Sequence, residues 1–148
     1  MRVVVQRVKE GSISIEGKLH ASIGRGYVIL LGIRKGDTEK DAVVLADKCS
    51  ALRVFEDGEG KMNLSLNDVQ GSALVVSQFT LYADTRKGNR PSFTDAAPPE
   101  EAVPLYEKFV ERMRSKLGNE RVVTGVFRAM MDVHILNDGP VTIIVESA

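Results

Sequence analysis

Two short polar stretches interrupt apolar runs of this chain and contain the residues best suited to chemistry. The first comprises Ser77, Gln78, Phe79 and Thr80, which follow the apolar residues 73–76. At the end of a strand, the main chain of residues 77–79 could present N–H groups to a developing oxyanion. Ser77 and Thr80 could act as nucleophiles only beside a base, and no base is evident nearby. The alternative is that these hydroxyl groups bond the backbone at a strand end.

The second stretch comprises Asn137, Asp138, Gly139 and Pro140, and the β-rich run of residues 141–145 follows it. Proline cannot donate to a strand ladder and glycine weakens one. The pair therefore marks a turn, a sheet edge or a place where backbone meets a ligand. From these residues alone, a hairpin turn is the favoured interpretation.

Motifs of several other enzyme classes are absent. The only histidines, His20 and His134, lie in no zinc-binding spacing, so we expect no metal site and no cofactor. There is no GxSxG elbow, P-loop or GxGxxG motif. A Ser-His-Asp site would have to recruit one of the two histidines without a local motif. The acidic residues Glu56, Asp57 and Glu59 do not match an EF-hand and predict a plain turn.

Composition indicates one globular domain, residues 1–148. Hydrophobic residues make up 43% and charged residues 27%, which is typical of a folded domain. The start lacks the features of a signal peptide, and no apolar run reaches the ~20 residues of a membrane helix. The single cysteine, Cys49, is predicted to lie in the core. These features favour a cytoplasmic protein with no membrane partner.

Charge argues against a protein that wraps duplex nucleic acid, because 20 basic and 20 acidic residues cancel. Local basic clusters exist, such as residues 85–90, and most such clusters are solvated faces. A protein that grips only the end of a nucleic acid needs few phosphate contacts, so neutrality does not exclude one.

Periodicity predicts several strands, a helix, further strands, a second helix and at least two final strands. Residues 27–33 are almost wholly apolar, as in a central strand. A capping box at Thr38 and Asp41 starts a helix from about Glu39 to Ala51. A second helix begins near Pro98, contains Pro104 near its first turn, and ends before Gly118. A loop is predicted between Gln78 and Pro98. The order predicts an α+β domain with a mixed sheet and two main helices.

Three segments resemble the signature segments of the D-aminoacyl-tRNA deacylases, also called D-tyrosyl-tRNA deacylases. They are "SQFTL" from Ser77, "NRPSF" from Asn89 and "NDGPVT" from Asn137. The segments "VVQRV", "GYVILLGIRKGDTEKDA" and "RVFEDGEGKMNLSL" also match, so the resemblance covers essentially the whole chain. It implies a mainly antiparallel, barrel-like core with two helices.

The resemblance also implies an activity, namely hydrolysis of the ester that joins a D-amino acid to the 3′-terminal adenosine of tRNA. Glycyl esters, including glycine mischarged on tRNA-Ala, are implied substrates as well. The family forms homodimers with active sites at the interface. Gly139 and Pro140 would be joined by a cis bond and would enter the partner's pocket, where their carbonyls leave no room for an L side chain.

Roles for other residues follow from the same resemblance. Residues 77–80 would hold the ester and the adenosine, and the ribose 2′-OH would help to activate water; an alternative has Thr80 as the nucleophile. Arg7 would brace the Gly-Pro carbonyls beside Asn137. Further residues would line the adenine pocket, namely Phe127, Met130 and Met131.

One position departs from the family pattern, because Arg128 stands where glycine is frequent; it could contact a phosphate. Two other functions remain open at this point. They are a non-catalytic nucleic-acid-binding module on the same scaffold, for example one acting in DNA replication, and a conventional serine or threonine esterase.

Overall fold

The computed structural model describes all residues from Met1 to Ala148. Eight strands and two α-helices follow one another along the chain, with single 3-10 turns at Phe79–Tyr82 and Asn119–Arg121. Their bounds are β1 Arg2–Ile15, β2 Lys18–Ile23, β3 Gly26–Gly32, α1 Glu39–Ala51, β4 Phe55–Glu56, β5 Met62–Leu64, β6 Ser72–Ser77, α2 Pro99–Leu117, β7 Val122–Thr124 and β8 Asp132–Glu146.

Strand β1 organises the main sheet because it pairs with three other strands. Along one edge, its first half pairs with β3 and its second half with β2. Along the other edge, it pairs with β8 over nearly its full length. These pairings are antiparallel, whereas β6 lies parallel to both β3 and β7. Because β2 also approaches β6 and β7, the sheet curls into a nearly closed barrel. The predicted α+β class and the mixed, mainly antiparallel sheet are confirmed.

The two helices pack side by side over the larger of two apolar clusters. Helix α1 begins with the predicted capping box, in which Thr38 and Asp41 bond each other's backbone amides. Helix α2 begins with Pro99, carries Pro104 in its interior, and ends at Gly118, whose φ of +98° suits glycine. Cys49 is fully buried in this cluster, as predicted.

A smaller cluster lies on the other side of the sheet. It joins residues of β1, β2, β3 and β6, and apolar side chains of β8 such as Ile135 cover it. Strand β3 is therefore covered on both sides and lies between β1 and β6, as its apolar sequence predicts. Neither α-helix has the length and apolar character needed to cross a bilayer.

Two local predictions need correction. Residues 137–140 do not form a hairpin turn; they lie inside the continuous strand β8, where the β1–β8 register shifts twice. A β-bulge absorbs the glycine and proline there without reversing the chain. The predicted loop after Gln78 contains a 3-10 turn, Phe79–Tyr82. The acidic hairpin tip is a turn as predicted, because the Asp57 carboxylate accepts N–H bonds from Glu59 and Lys61.

Candidate active site

A cavity of about 660 Å³ opens beside the carboxyl end of β6. Three segments form its walls: the end of β6 with the following 3-10 turn, the residues that lead into α2, and the residues between β7 and β8. Twelve of its 17 lining residues are hydrophobic, so it suits a flat or apolar group with few polar contacts.

The first wall carries the polar stretch that follows β6. Ser77 ends the strand, and the Gln78 amide donates to the carbonyl of Leu31 on β3 (2.8 Å). Gly32 allows the next turn to pack closely, because a Cβ there would lie 3.2 Å from the Gln78 carbonyl oxygen. The first amide groups of a 3-10 turn have no partner within the turn, and here no side chain caps them.

Three residues of this stretch, Ser77, Gln78 and Phe79, line the cavity, whereas Thr80 is exposed beside it. The Gln78 side-chain amide donates a hydrogen bond to the Thr80 hydroxyl. No titratable side chain bonds either hydroxyl group. Nothing in the structure therefore activates Ser77 or Thr80 as a nucleophile.

The second wall is the segment that leads into α2. It is held against the end of β3, because Ala97 donates to the carbonyl of Ile33 (2.9 Å). Phe93 reaches over the cavity and packs edge to face on Phe79, with ring centroids 5.1 Å apart. Phe93 belongs to the "NRPSF" segment, whose sequence signalled the site without indicating this aromatic contact.

The third wall contains Phe127, Met130 and Met131, which line the cavity as the adenine-pocket prediction requires. Phe127 packs edge to face against Tyr106 of α2, with centroids 5.9 Å apart. The Tyr106 hydroxyl donates to the carbonyl of Val75 (2.9 Å), and burial raises the pKa of Tyr106 to about 12. Tyr106 therefore remains protonated and positions the wall without taking part in proton transfer.

Between these residues, a β-turn places Arg128 at the cavity with a φ of +70°. The Ala129 amide donates to the carbonyl of Val126 (3.2 Å) and closes the turn. Positive φ favours glycine or asparagine at this position, and an arginine costs roughly 1 to 2 kcal/mol. Arg128 is the only ionisable residue of the lining, so the cavity contains no acid-base pair.

Other potential nucleophiles and bases lie elsewhere. Neither histidine lines the cavity; His134 pairs with Glu10 on the outer face of the sheet (3.0 Å). Burial raises the pKa of Cys49 to about 12, which keeps the thiol protonated. A serine, threonine or cysteine esterase that relies on histidine therefore has no support in this geometry.

A second group of predicted site residues gathers at the bulge in β8 and does not line the cavity. The Gly139–Pro140 peptide bond is cis, and both residues are exposed. On one side, the Asn137 side-chain oxygen accepts from the Val141 amide (2.9 Å). The Asn137 amide group donates to the Thr142 hydroxyl (3.2 Å). Asn137 thus closes a short loop around the Gly-Pro pair.

Arg7 holds the bulge from the other side. Its side chain is buried, and its Nε donates to the carbonyl of Asp138 (3.0 Å) while its Nη1 donates to the carbonyl of Val54 (2.6 Å). The carboxylate of Asp138 also lies 3.6 Å from Nε. Arg7 thus bonds the carbonyl that precedes the Gly-Pro pair and not the carbonyls of Gly139 and Pro140 that it was expected to brace.

The site residues predicted from sequence therefore form two groups within one chain. Ser77, Gln78 and Phe79 share the cavity with Phe127, Met130 and Met131, and Thr80 lies exposed beside it. Arg7, Asn137, Gly139 and Pro140 lie together at the bulge.

Comparison with known proteins gives a consistent result. The model of the family described as "D-Tyr-tRNA(Tyr) deacylase" matches residues 4–146. A D-aminoacyl-tRNA deacylase of Thermomicrobium roseum is 60% identical over 148 residues, which is 100% of this chain and 95% of the relative. A D-aminoacyl-tRNA deacylase of Thermotoga petrophila is 56% identical over 148 residues, which is 100% of this chain and 98% of the relative.

Solved structures share the fold. A structure described as "c-Myc DNA Unwinding Element Binding Protein" superposes with a TM-score of 0.95 at 46% sequence identity. The match covers 100% of this chain and 99% of the chain in that structure. A probable eukaryotic D-amino acid tRNA deacylase superposes with a TM-score of 0.84 over 98% of both chains. At 18% identity, that second likeness shows the fold alone.

Substitution of Arg7 by methionine tests how firmly the bulge is held. The change leaves the carbonyls of Val54 and Asp138 without their donor, so we expect a loss of roughly 2 to 4 kcal/mol in the free energy of unfolding. Arg53→Met is the matched control, because exposed Arg53 also donates to a backbone carbonyl, that of Asn63 (2.9 Å). Equal losses for both variants in urea denaturation would contradict the role of Arg7.

Proposed function

This chain belongs to the D-Tyr-tRNA(Tyr) deacylase family and is a D-aminoacyl-tRNA deacylase, and we propose that a second copy completes each of its active sites. The substrate is then the ester between a D-amino acid and the 3′-terminal adenosine of tRNA. The observation that carries the proposal is the division of the site residues between a cavity and an exposed bulge that does not line it. In a symmetric dimer, the bulge of each protomer can enter the cavity of the other.

Strand β8 supports such an assembly. It pairs with β1 alone, so its other edge is free. Its outward face also exposes Leu136 (44%) and Ile144 (66%), which flank the bulge. A free edge with exposed apolar side chains is typical of a surface that pairs with another chain. The homodimer therefore uses the strand that carries Gly139 and Pro140.

Selection of the D-ester follows from backbone placed next to the substrate α-carbon. Gly139 has no Cβ, so its main chain can approach a ligand closely. Arg7 and Asn137 fix the segment on both sides, and a fixed segment cannot yield to a side chain of the wrong hand. The amino group of a D-residue would donate to its carbonyls, and an L side chain would collide with it. Achiral glycyl esters, including glycine on tRNA-Ala, have no side chain to be rejected.

The chemistry then depends on position and not on an acid-base pair of the protein. Adenosine occupies the apolar cavity beside Phe127, and the ester carbonyl faces the free amides of the turn after Gln78. Water adds to the carbonyl carbon, and the adjacent ribose 2′-OH helps to orient it and to move its proton. The C–O3′ bond breaks, which releases the D-amino acid, tRNA with a 3′-OH, and a proton. This mechanism fits a lining whose only ionisable residue is an arginine.

The proposed substrate also places the protein in the cytoplasm, where charged tRNA is used. The single buried thiol suits that reducing compartment.

A DNA-binding role is the second candidate. It is favoured by the 46% identity to the structure described as a DNA unwinding element binding protein. The exposed basic stretch of residues 85–90 would supply its phosphate contacts, although Arg86 is already paired with Asp84 (2.7 Å). Tight binding of duplex DNA at physiological salt, without ester hydrolysis, would identify this function.

The deciding measurement compares two substrates that differ only in handedness. We expect the protein to release D-tyrosine from D-Tyr-tRNA and to leave L-Tyr-tRNA largely intact, because the bulge excludes the L side chain. Release is measured with labelled amino acid at matched enzyme concentrations. Equal hydrolysis of both enantiomers would rule out the proposed selection.

Gly139→Ala tests the bulge directly. An added Cβ would lie 2.8 Å from the Cγ2 of Val141 and 3.2 Å from Nη2 of Arg7, at a φ of +134°. We expect D-Tyr-tRNA hydrolysis to fall at least tenfold while the far-ultraviolet circular dichroism spectrum is retained; a tenfold loss corresponds to about 1.4 kcal/mol.

Gly17→Ala is the matched control for Gly139→Ala. Gly17 also has positive φ (+77°), but a Cβ there meets nothing within 4 Å. It should lose roughly 1 kcal/mol of stability and keep full activity. Unchanged turnover in Gly139→Ala, or an equal loss of activity in both variants, would refute the role of the bulge.

Subunit mixing tests whether the two groups act across the dimer. Phe79→Ala damages the cavity and Gly139→Ala the bulge, and we expect each variant alone to be weak. The two variants are mixed 1:1, unfolded and refolded, so that about half of the dimers contain one copy of each variant. In such a mixed dimer, one site combines the intact cavity of one protomer with the intact bulge of the other, and the second site carries both substitutions. One intact site in half of the dimers restores about a quarter of wild-type activity. A mixture no more active than its components would show that each chain builds its site alone.

A further inference from the structure

Arg128 occupies a backbone position that its side chain does not favour. It is the third residue of the turn that the Ala129 amide closes on Val126, and its φ is +70°. Glycine and asparagine adopt this conformation readily, whereas a long side chain does not. A residue kept in a disfavoured conformation at a binding cavity points to a use for its side chain.

The surroundings of Arg128 offer its charge no partner. Arg128 makes none of the ion pairs of the structure. The cavity beside it contains no carboxylate, and twelve of the 17 lining residues are hydrophobic. Arg128 is itself exposed to solvent although it lines this apolar cavity. A ligand that fills the cavity therefore meets a single, solvent-exposed cation that no carboxylate neutralises.

We infer that Arg128 binds the phosphate on the 5′ side of the terminal nucleoside of the substrate. The inference rests on the proposed function, because it takes that nucleoside as the occupant of the cavity. The base and the ribose suit the apolar walls, whereas a phosphate is too costly to bury there and lies at the opening. The planar guanidinium offers two parallel N–H donors that match two phosphate oxygens. Arg128 thereby sets affinity for the nucleic-acid part of the substrate and does not touch the reacting ester.

Binding of two probes that differ by this phosphate tests the inference without catalysis. We expect the wild-type protein to bind adenosine 5′-monophosphate roughly five- to tenfold more tightly than adenosine in titration calorimetry at low salt. Arg128→Asn and Arg128→Gly should abolish the difference and leave adenosine affinity unchanged, whereas Arg128→Lys should retain part of it. Equal wild-type affinity for both probes would overturn the inference. Equal loss of both affinities in the asparagine and glycine variants would do so too, because it indicates stacking of Arg128 on the base.

These two substitutions suit the turn, so misfolding does not confuse the test. Asparagine and glycine both accept positive φ, and we expect melting temperatures no lower than that of the wild type. Lys48→Ala is the control for general loss of charge, because Lys48 is exposed on α1 and does not line the cavity. It should leave the ratio of the two affinities unchanged, and a similar drop in that ratio would overturn the assignment to Arg128.

Kinetics with two esters separates this inference from the proposed function. For D-Tyr-tRNA, Arg128→Gly should raise KM roughly five- to tenfold, leave kcat unchanged, and flatten the dependence of log KM on log salt by about 0.7. For 3′-O-D-tyrosyl adenosine, which lacks the phosphate, the same variant should match the wild type. A fall in kcat on both esters would overturn the inference. If the wild type hydrolyses neither ester, the proposed function fails. The binding of adenosine and of adenosine 5′-monophosphate still decides the role of Arg128.

Discussion

The buried guanidinium of Arg7 is the contact on which the arrangement of the site depends. From β1, it donates to the carbonyl of Val54 beyond α1 and to the carbonyl of Asp138 in β8. These segments are far apart in sequence. Without the arginine, the carbonyls of Val54 and Asp138 would both lose their hydrogen-bond donor. Val3 and Val5 of β1 belong to the larger core, so the buried side chain of Arg7 ties the segment of the exposed Gly139–Pro140 pair to the core strand. An exposed segment held in this way can present its backbone in a fixed direction.

The same constraint explains how selectivity and reactivity can be separate tasks. The cavity is apolar, has a single ionisable residue and uses the end of β6 and its following turn as its polar wall. The bulge is polar backbone supported by Arg7 and Asn137. A rigid backbone excludes by shape, whereas an apolar pocket with free amides holds and polarises a substrate. Under the proposed function, neither half needs an acid or a base with a shifted pKa.

Local signals in the sequence were sufficient for much of the fold. The capping box at Thr38, the apolar run of β3 and the Pro99 to Gly118 limits of α2 depend on contacts close in the chain, and all were confirmed. The bulge was misread as a turn because glycine and proline favour both, and only pairing with β1, over 120 residues away in the chain, distinguishes them. The contacts of Phe93 with Phe79 and of Arg7 with Val54 were missed for the same reason, because tertiary packing determines them.

The pairing of β1 with β8 has a consequence for how the protein is made. Strand β1 leaves the ribosome well before its longest partner, β8, and the Ser147 amide extends the match by donating to the carbonyl of Met1 (3.0 Å). During synthesis, one edge of β1 therefore stays open although β2 and β3 already cover the other. Nascent chains must pass through this period without joining edge to edge, because the sheet is completed only once β8 has emerged.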